Sequence, residues 1–332
     1  MKGVILSCVL FVFSFTLVAS ELRFAMVPKQ TDNPFFIASG EGCKAAAEEL
    51  GNVQCIFRGS KNIDVRSQDK IISELIDEGV DGIAVAVSQS KYLASHSIKK
   101  ALDRGIPVIA YDADFDRKTL EEHPNLRLAY VGTNNFEIGE SLGNLLKQQR
   151  PNGGALVIQS GRPDSPNLNL RVMGVRSALS GKTYDSPPGI RLEGENGWKE
   201  LSNPLYNYCQ FDRAMKELKT VIITYRAKKL DAFVAVGGWT QFVDGYRELI
   251  KPHKDALEMK DLILIIADSA DIQLEYLKDK LAHGNVGQNP FEMGKQAILT
   301  LYKIVNKQDY KKVTYIPLNI CTQKNYSTCT NN

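Results

Sequence analysis

The sequence predicts an α/β protein built as two similar lobes, each a doubly wound parallel sheet covered by helices, joined by a short multi-segment hinge. Three observations predict it. Apolar runs of strand length alternate with amphipathic stretches of helix length along most of the chain. Several of those runs, such as LILIIA at 262–267, are continuous rather than alternating, as strands buried on both faces must be. The pattern also occurs twice, once before about residue 130 and once after, with no Pro/Gly/Ser-rich linker between the halves. At 332 residues the chain exceeds what one ordinary core fills, which agrees with two domains.

The elements follow in order. Strands are expected at 22–27 (LRFAMV), 53–57 (VQCIF), 82–87 (GIAVAV), 108–112 (VIAYD) and 128–133 (LAYVGT). The second half adds 155–160 (ALVIQS), 232–236 (AFVAV) and 262–267 (LILIIA). The first helix opens with Pro34 in its first turn and stops at Gly51, the asymmetry that helix ends favour. A second over 64–79 carries Ile71, Ile72, Leu75 and Ile76 at three-to-four spacing, and a third over 91–105 ends at Gly105 before Pro107. At VGTNN (131–135) a strand runs directly into a helix, so the lobes share a cleft instead of being tethered. The chain closes with a helix over 291–305 and a strand-like run over 312–320. Segments 161–170 and 194–210 are rich in Pro, Asn and Gly and read as loops, the second as solvated decoration that carries Trp198, Tyr206 and Tyr208. The expected division is 21–132 plus about 291–312 for the N-terminal lobe, and 133–290 plus about 313–332 for the C-terminal lobe.

Composition narrows the function. The 41 basic and 38 acidic residues are mixed along the chain, and no basic stripe with interleaved aromatics supports nucleic-acid binding. Residues 1–20 combine Lys2, an apolar run from Val4 to Val18 and the small residues up to Ser20, the form of a cleaved secretory signal. The mature chain is thus expected in the periplasm, soluble and monomeric. Without Cys8 the cysteines are Cys43, Cys55, Cys209, Cys321 and Cys329, an odd number that allows at most two internal bridges. Pairing does not follow from sequence, although Cys43 with Cys55 and Cys321 with Cys329 each bracket a short unit suited to a local staple in an oxidising compartment. No C-x-x-C occurs and the four histidines are scattered, so neither metal nor cofactor is expected.

Ligands of open parallel sheets bind beyond the carboxyl ends of the strands. The residues there are Asp32, Asn33, Phe35 and Phe36 after the first strand, Ser88 and Gln89 after the third, and Asp112 and Asp114 after the fourth. The second half offers Asn169, Arg171, Trp239, Asp268, Gln288 and Asn289. Planar bidentate groups chelate vicinal hydroxyls and aromatic rings cover the C–H face of a sugar, so this collection suits a carbohydrate. Each residue alone reads as readily as a helix cap or a core ring.

The markers TDNPFF, YDAD, YVGTNN, NLNLRVMGV, FDR (211–213), AVGGW and VGQNPFEMG, in this order and spacing, resemble the periplasmic sugar-binding proteins of the ribose-binding type, with the type I periplasmic fold. The resemblance covers roughly residues 22 to 320. It implies that Asn33, Phe35 and Phe36 contact a sugar from the first lobe and that Asp112 takes a pair of hydroxyls. From the second lobe it implies Arg171, Phe211 as the opposite stacking ring, Asp268 and Gln288. Two positions depart from ribose binders: Ala113 stands where they have Arg, and Gly237-Gly238-Trp239 where they have Asn. The ligand implied is therefore a monosaccharide or cyclic polyol other than simple ribose, held as two lobes close about the hinge.

The implied readout is an inner-membrane ABC permease, a chemoreceptor or a sensor kinase. The alternative is a sensor subunit with a non-sugar or lost ligand. An enzyme is not expected: the turn after the first strand lacks G-x-G-x-x-G, and no Walker loop or G-x-S-x-G elbow occurs. A repressor core is disfavoured because the signal segment stands where a helix-turn-helix would.

Overall fold

The computed structural model describes residues 21–329. The export signal expected over 1–20 lies outside the described residues. The first lobe runs β1 (Leu22–Val27), α1 (Pro34–Leu50), β2 (Val53–Phe57), α2 (Val65–Asp77), β3 (Gly82–Val85), α3 (Ser90–Ser95), α4 (Ser97–Asp103), β4 (Val108–Tyr111), α5 (Arg117–Glu122) and β5 (Ala129–Gly132). The second follows with α6 (Asn135–Gln149), β6 (Gly154–Ser160), α7 (Pro166–Ser180), β7 (Trp198–Glu200), β8 (Leu205–Tyr206), α8 (Phe211–Lys228) and β9 (Ala232–Ala235). It continues through α9 (Tyr246–Ile250), α10 (Lys254–Glu258), β10 (Ile263–Ala267), α11 (Asp271–Lys278) and β11 (Gly284–Gly287). The chain then returns through α12 (Pro290–Val305), β12 (Val313–Tyr315) and β13 (Asn319–Thr322).

Each lobe is an α/β sandwich around its own sheet. The first sheet has the order β12-β5-β4-β3-β1-β2 and the second β13-β11-β10-β9-β6-β7, with β8 also on β6. Every described pairing between these strands is parallel except β11 with β13. The two orders correspond strand for strand. Strands β3, β4, β5, β9, β10 and β11 are buried along their whole length, which explains the unbroken apolar runs.

Local chemistry sets the helix ends beside the cleft. Asn33 is extended and its Oδ1 accepts the amide of Phe35 at 2.9 Å, Pro34 supplies the first helical residue of α1, and Gly51 ends it at φ 71°. Asn289 caps α12 in the same way through Glu292, again followed by a proline. The helix expected over 91–105 is broken at His96, where φ −119° and ψ −104° leave the helical region.

The chain passes between the sheets at 133–134, 288–289 and 316–318. The tail assignment needs correction. Val313–Tyr315, expected with the second lobe, pairs in parallel with Tyr130–Gly132 of the first, and only β13 joins the second sheet. A single strand-like run thus serves two sheets, because Ile316–Leu318 forms the third crossing. The segment 194–210 is corrected as well: β7 and β8 pair with β6, and Trp198 is fully buried in the second core. Buried Arg176 holds it there, donating from Nε and Nη2 to Glu200 at 2.8 Å each and from Nη1 to the carbonyls of Pro188 and Gly189.

Disulfides join Cys43 to Cys55, tying α1 to β2, and Cys321 to Cys329 in the tail. Cys209 is a free thiol.

Candidate ligand-binding site

The carboxyl ends of both sheets face one another across a small cavity of about 60 Å³. Of the nine ligand-contact residues expected from sequence, Asn33, Phe35, Phe36, Asp112, Arg171, Trp239, Asp268 and Gln288 line it.

Asp112 follows β4 and is 5% exposed. Its carboxylate accepts no hydrogen bond from the described residues, and burial pushes its pKa up against the opposing pull of Lys29 and Arg171. Arg171 is fixed on three sides: Nε donates to Asn135 Oδ1 at 2.8 Å, Nη1 to the Val236 carbonyl at 3.0 Å and Nη2 to Gln288 Oε1 at 3.1 Å. Gln288 Nε2 in turn donates to Asp268 Oδ1 at 2.9 Å, and the other Asp268 oxygen accepts the amide of Gly238 at 2.9 Å. Arg171, Gln288 and Asp268 therefore form one rigid rail, whereas Asp112 stands opposite with its acceptor capacity unused.

The two phenylalanines divide the tasks that TDNPFF left open. Phe36 is buried in the first-lobe core, edge-on to Tyr111 with ring centroids 6.5 Å apart. Phe35 meets it edge-to-face at 5.2 Å and remains partly exposed at the cavity. Asn33 uses its Oδ1 for the α1 cap, which leaves its amide group for anything else in the cleft.

Phe211 does not line the cavity. It begins α8 and packs against the second-lobe core, so the stacking role expected for it is not seen. Tyr208 and Cys209 both take left-handed backbone (φ 53° and 58°), and Asn207 Oδ1 accepts the Cys209 amide at 2.7 Å. That turn presents Cys209 to the cavity in place of Phe211. Tyr208 itself lies between the guanidinium groups of Arg162 and Arg213, 6.0 and 4.8 Å from its ring centre.

The other strand-end candidates serve structure. Ser88 is held by Gln68 at 2.6 Å, Asp114 pairs with Arg127, Asp32 accepts from Gln30, and Asn169 donates to the Pro163 carbonyl. At the two departures, Ala113 is buried, and the glycines make room for rings. A Cβ on Gly237 would lie 2.6 Å from the Trp239 ring, and one on Gly238 2.5 Å from that of Phe242.

Sequence reasoning missed Lys29, Gln30, Asn167, Leu168, Cys209 and Phe242. Lys29 crosses the cleft: from the end of β1 its Nζ reaches Asn167 Oδ1 at 3.0 Å and Ser165 Oγ at 3.3 Å in the second lobe. Burial lowers its pKa, and the nearby Asp112 charge partly offsets that. Gln30 Oε1 is buried without a partner among the described residues, a second unused acceptor in the first-lobe wall. The strand-end rule reached the turn holding Lys29 and Gln30 but fixed on the aromatic pair beyond it.

A family model described as periplasmic binding protein domain matches residues 24–309. The chain belongs to that family. As a periplasmic binding protein it is similar to the D-ribose/D-allose-binding protein of Pseudomonas aeruginosa, 31% identical over 159 residues, 47% of this chain and 49% of that one. It is also similar to the D-allose-binding periplasmic protein of Escherichia coli, 26% identical over 158 residues, 47% of this chain and 50% of that one. The match spans about half the length of these curated relatives. Among solved structures, an ABC transporter solute-binding protein from Burkholderia graminis in complex with D-arabinose has a TM-score of 0.76 and 25% identity, over 94% of this chain and 99% of that one. The resemblance to the ribose-binding type and the two-lobed type I fold expected from sequence both hold.

Proposed function

We propose that this periplasmic binding protein captures one monosaccharide or related cyclic polyol between its lobes and presents it to an ABC importer in the membrane. The observation that carries the reading is the buried Asp112 carboxylate, which faces the cavity without a donor beside the unpartnered Gln30 Oε1 and the Phe35 ring. Buried acceptors of this kind call for a ligand rich in hydroxyl donors, and a partly exposed aromatic ring calls for one with a C–H face. Arg171 and Asp268 add fixed donors and acceptors from the opposite lobe. The family and the sugar names of the relatives support the same class.

Ligand contacts from both lobes form together only when the lobes meet, so binding stabilises the closed arrangement. Among the described residues that line the cavity, none is hydrogen-bonded as a nucleophile to a base, which favours capture without transformation. The test is a thermal-shift screen of the purified chain against aldopentoses, aldohexoses and cyclic polyols, followed by calorimetry. A few ligands are expected to raise the melting temperature of the native protein, and to raise that of Asp112→Asn less at the same concentration. No shift across the panel overturns the reading.

A further inference from the structure

Behind the cavity, hydrogen bonds through the first crossing at 133–134 join Asp112 of one lobe to Arg171 of the other. The Tyr130 hydroxyl, on β5, has one proton and two carbonyls to receive it, Asp112 at 2.8 Å and Thr133 at 3.2 Å. From the other side Asn135, the first residue of α6, directs its Nδ2 at the same Thr133 carbonyl, 3.3 Å away. That amide also stands 3.5 Å from the Tyr130 oxygen, and Asn135 Oδ1 accepts from Arg171 Nε at 2.8 Å. Tyr130, Thr133 and Asn135 are all buried, yet none of them lines the ligand cavity.

The backbone is shaped to admit this arrangement. A Cβ on Gly132 would lie 2.2 Å from the Tyr130 hydroxyl oxygen, so glycine leaves the space in which the ring tip reaches the crossing. The third crossing is fastened at the same place. Ile316 donates its amide to the Gly132 carbonyl at 2.8 Å, and the Tyr315 ring meets that of Tyr130 edge-on at 6.3 Å.

At this crossing the lobes turn on one another through backbone torsions between Tyr130 and Asn135. A change before the Thr133 carbonyl moves its oxygen relative to Tyr130; a change after it moves the oxygen relative to Asn135. The carbonyl therefore keeps both donors only near the present hinge angle.

We propose that Tyr130 is a positioning residue of capture: with Asn135 it grips the Thr133 carbonyl and biases the hinge toward the angle at which Asp112 and Arg171 face one ligand. The inference rests on the sugar reading above and adds a residue that sets affinity without touching the ligand.

Tyr130→Phe, which removes one oxygen, is the test. Dissociation constants are measured by calorimetry for every sugar or polyol that the native chain binds. Well below the unfolding transition, a loss of fold stability alone leaves them unchanged. The variant is expected to weaken all ligands by one common factor of about 3- to 10-fold, since a shift in hinge population acts on every ligand equally. That factor should persist in Asp112→Asn, because the hinge bias is separate from the carboxylate contact. In Asn135→Ala it should shrink below about twofold, because the carbonyl is already released on one side. An unchanged affinity overturns the inference and leaves the sugar reading standing. Factors that differ between ligands, or that vanish in Asp112→Asn, also overturn it, since Tyr130 then acts by seating the carboxylate. A full factor in Asn135→Ala overturns the shared grip. If the native chain binds no sugar or polyol, the sugar reading falls and takes the inference with it.

Discussion

Asp112 and Asp268 stand at the same place in the two sheets, one residue past β4 and one past β10, each with a left-handed backbone (φ 57° and 71°). The support is matched as well. Tyr130 on β5 donates to the Asp112 carbonyl at 2.8 Å, and Asn285 on β11 donates to the Asp268 carbonyl at 3.0 Å. Repetition of one strand-end device puts two carboxylates on opposite sides of one cleft. What differs is their company: Asp268 is bonded to Gly238 and Gln288, whereas Asp112 accepts nothing from the described residues.

Asp112→Asn tests that difference. Aspartate and asparagine both tolerate the left-handed region, so the backbone is kept. Burial raises the folded pKa above the unfolded one, so the folded chain holds this proton more tightly and the group costs stability as pH rises through the window between those values. Above that window the variant is expected to melt no lower than the native protein, while its ligand affinity falls about 10- to 100-fold through loss of a charged acceptor. In calorimetry, native affinity should fall as pH drops through the raised value, and that of the variant should stay flat. A flat native profile would count against an ionised Asp112 as the acceptor.

Lys29→Met keeps the apolar stem and removes the ammonium that joins β1 to Ser165 and Asn167. The closed arrangement loses a contact between lobes, so ligand affinity should drop about 10-fold, in line with charged hydrogen bonds of roughly 1.5–3 kcal/mol partly offset by relief from burying a charge. Affinity equal to the native value would show that the bridge carries no weight in closure.

Glu200→Gln removes the charged partner of buried Arg176 and weakens the anchor of β7 and of Leu192, whose amide donates to Glu200. An uncompensated buried guanidinium costs about 3–5 kcal/mol, read as a lower midpoint in urea denaturation. Ligand affinity below the transition should be unaffected, because neither residue lines the cavity.

Thiol counting checks the covalent frame. The chain without residues 1–20 should show one thiol per molecule when denatured without reductant, that of Cys209. In the folded protein its pKa of about 11 leaves little thiolate, so alkylation at pH 8 should be slow, and slower still with ligand bound. Five thiols would exclude both disulfides.

Much of the fold was legible because strands buried on both faces leave continuous apolar runs, as LILIIA and GIAVAV do. The strand-end residues were legible for a topological reason, since parallel sheets place those positions together whatever the intervening sequence. Phe211 shows where that reasoning stops. The turn at Tyr208 and Cys209 depends on two non-glycine left-handed residues and on Asn207, features that no spacing announces. Trp198 and Glu200 were likewise hidden in a Pro- and Gly-rich stretch, because their burial depends on Arg176, 24 residues before Glu200.

By itself the sequence determined two α/β lobes and a shared cleft, from local periodicity and the order of strands, and strand-end position together with the family resemblance picked out eight residues of its lining. Only the tertiary structure decided the rest: that Lys29 crosses to Asn167, that the tail divides between two sheets, and that Cys209 displaces Phe211 at the cavity. Those outcomes rest on contacts between groups distant in the chain, whose energies depend on burial and geometry. TDNPFF shows both sides: its proline and asparagine fix the start of α1 locally, and the packing of Tyr111 against Phe36 leaves Phe35 for the cleft.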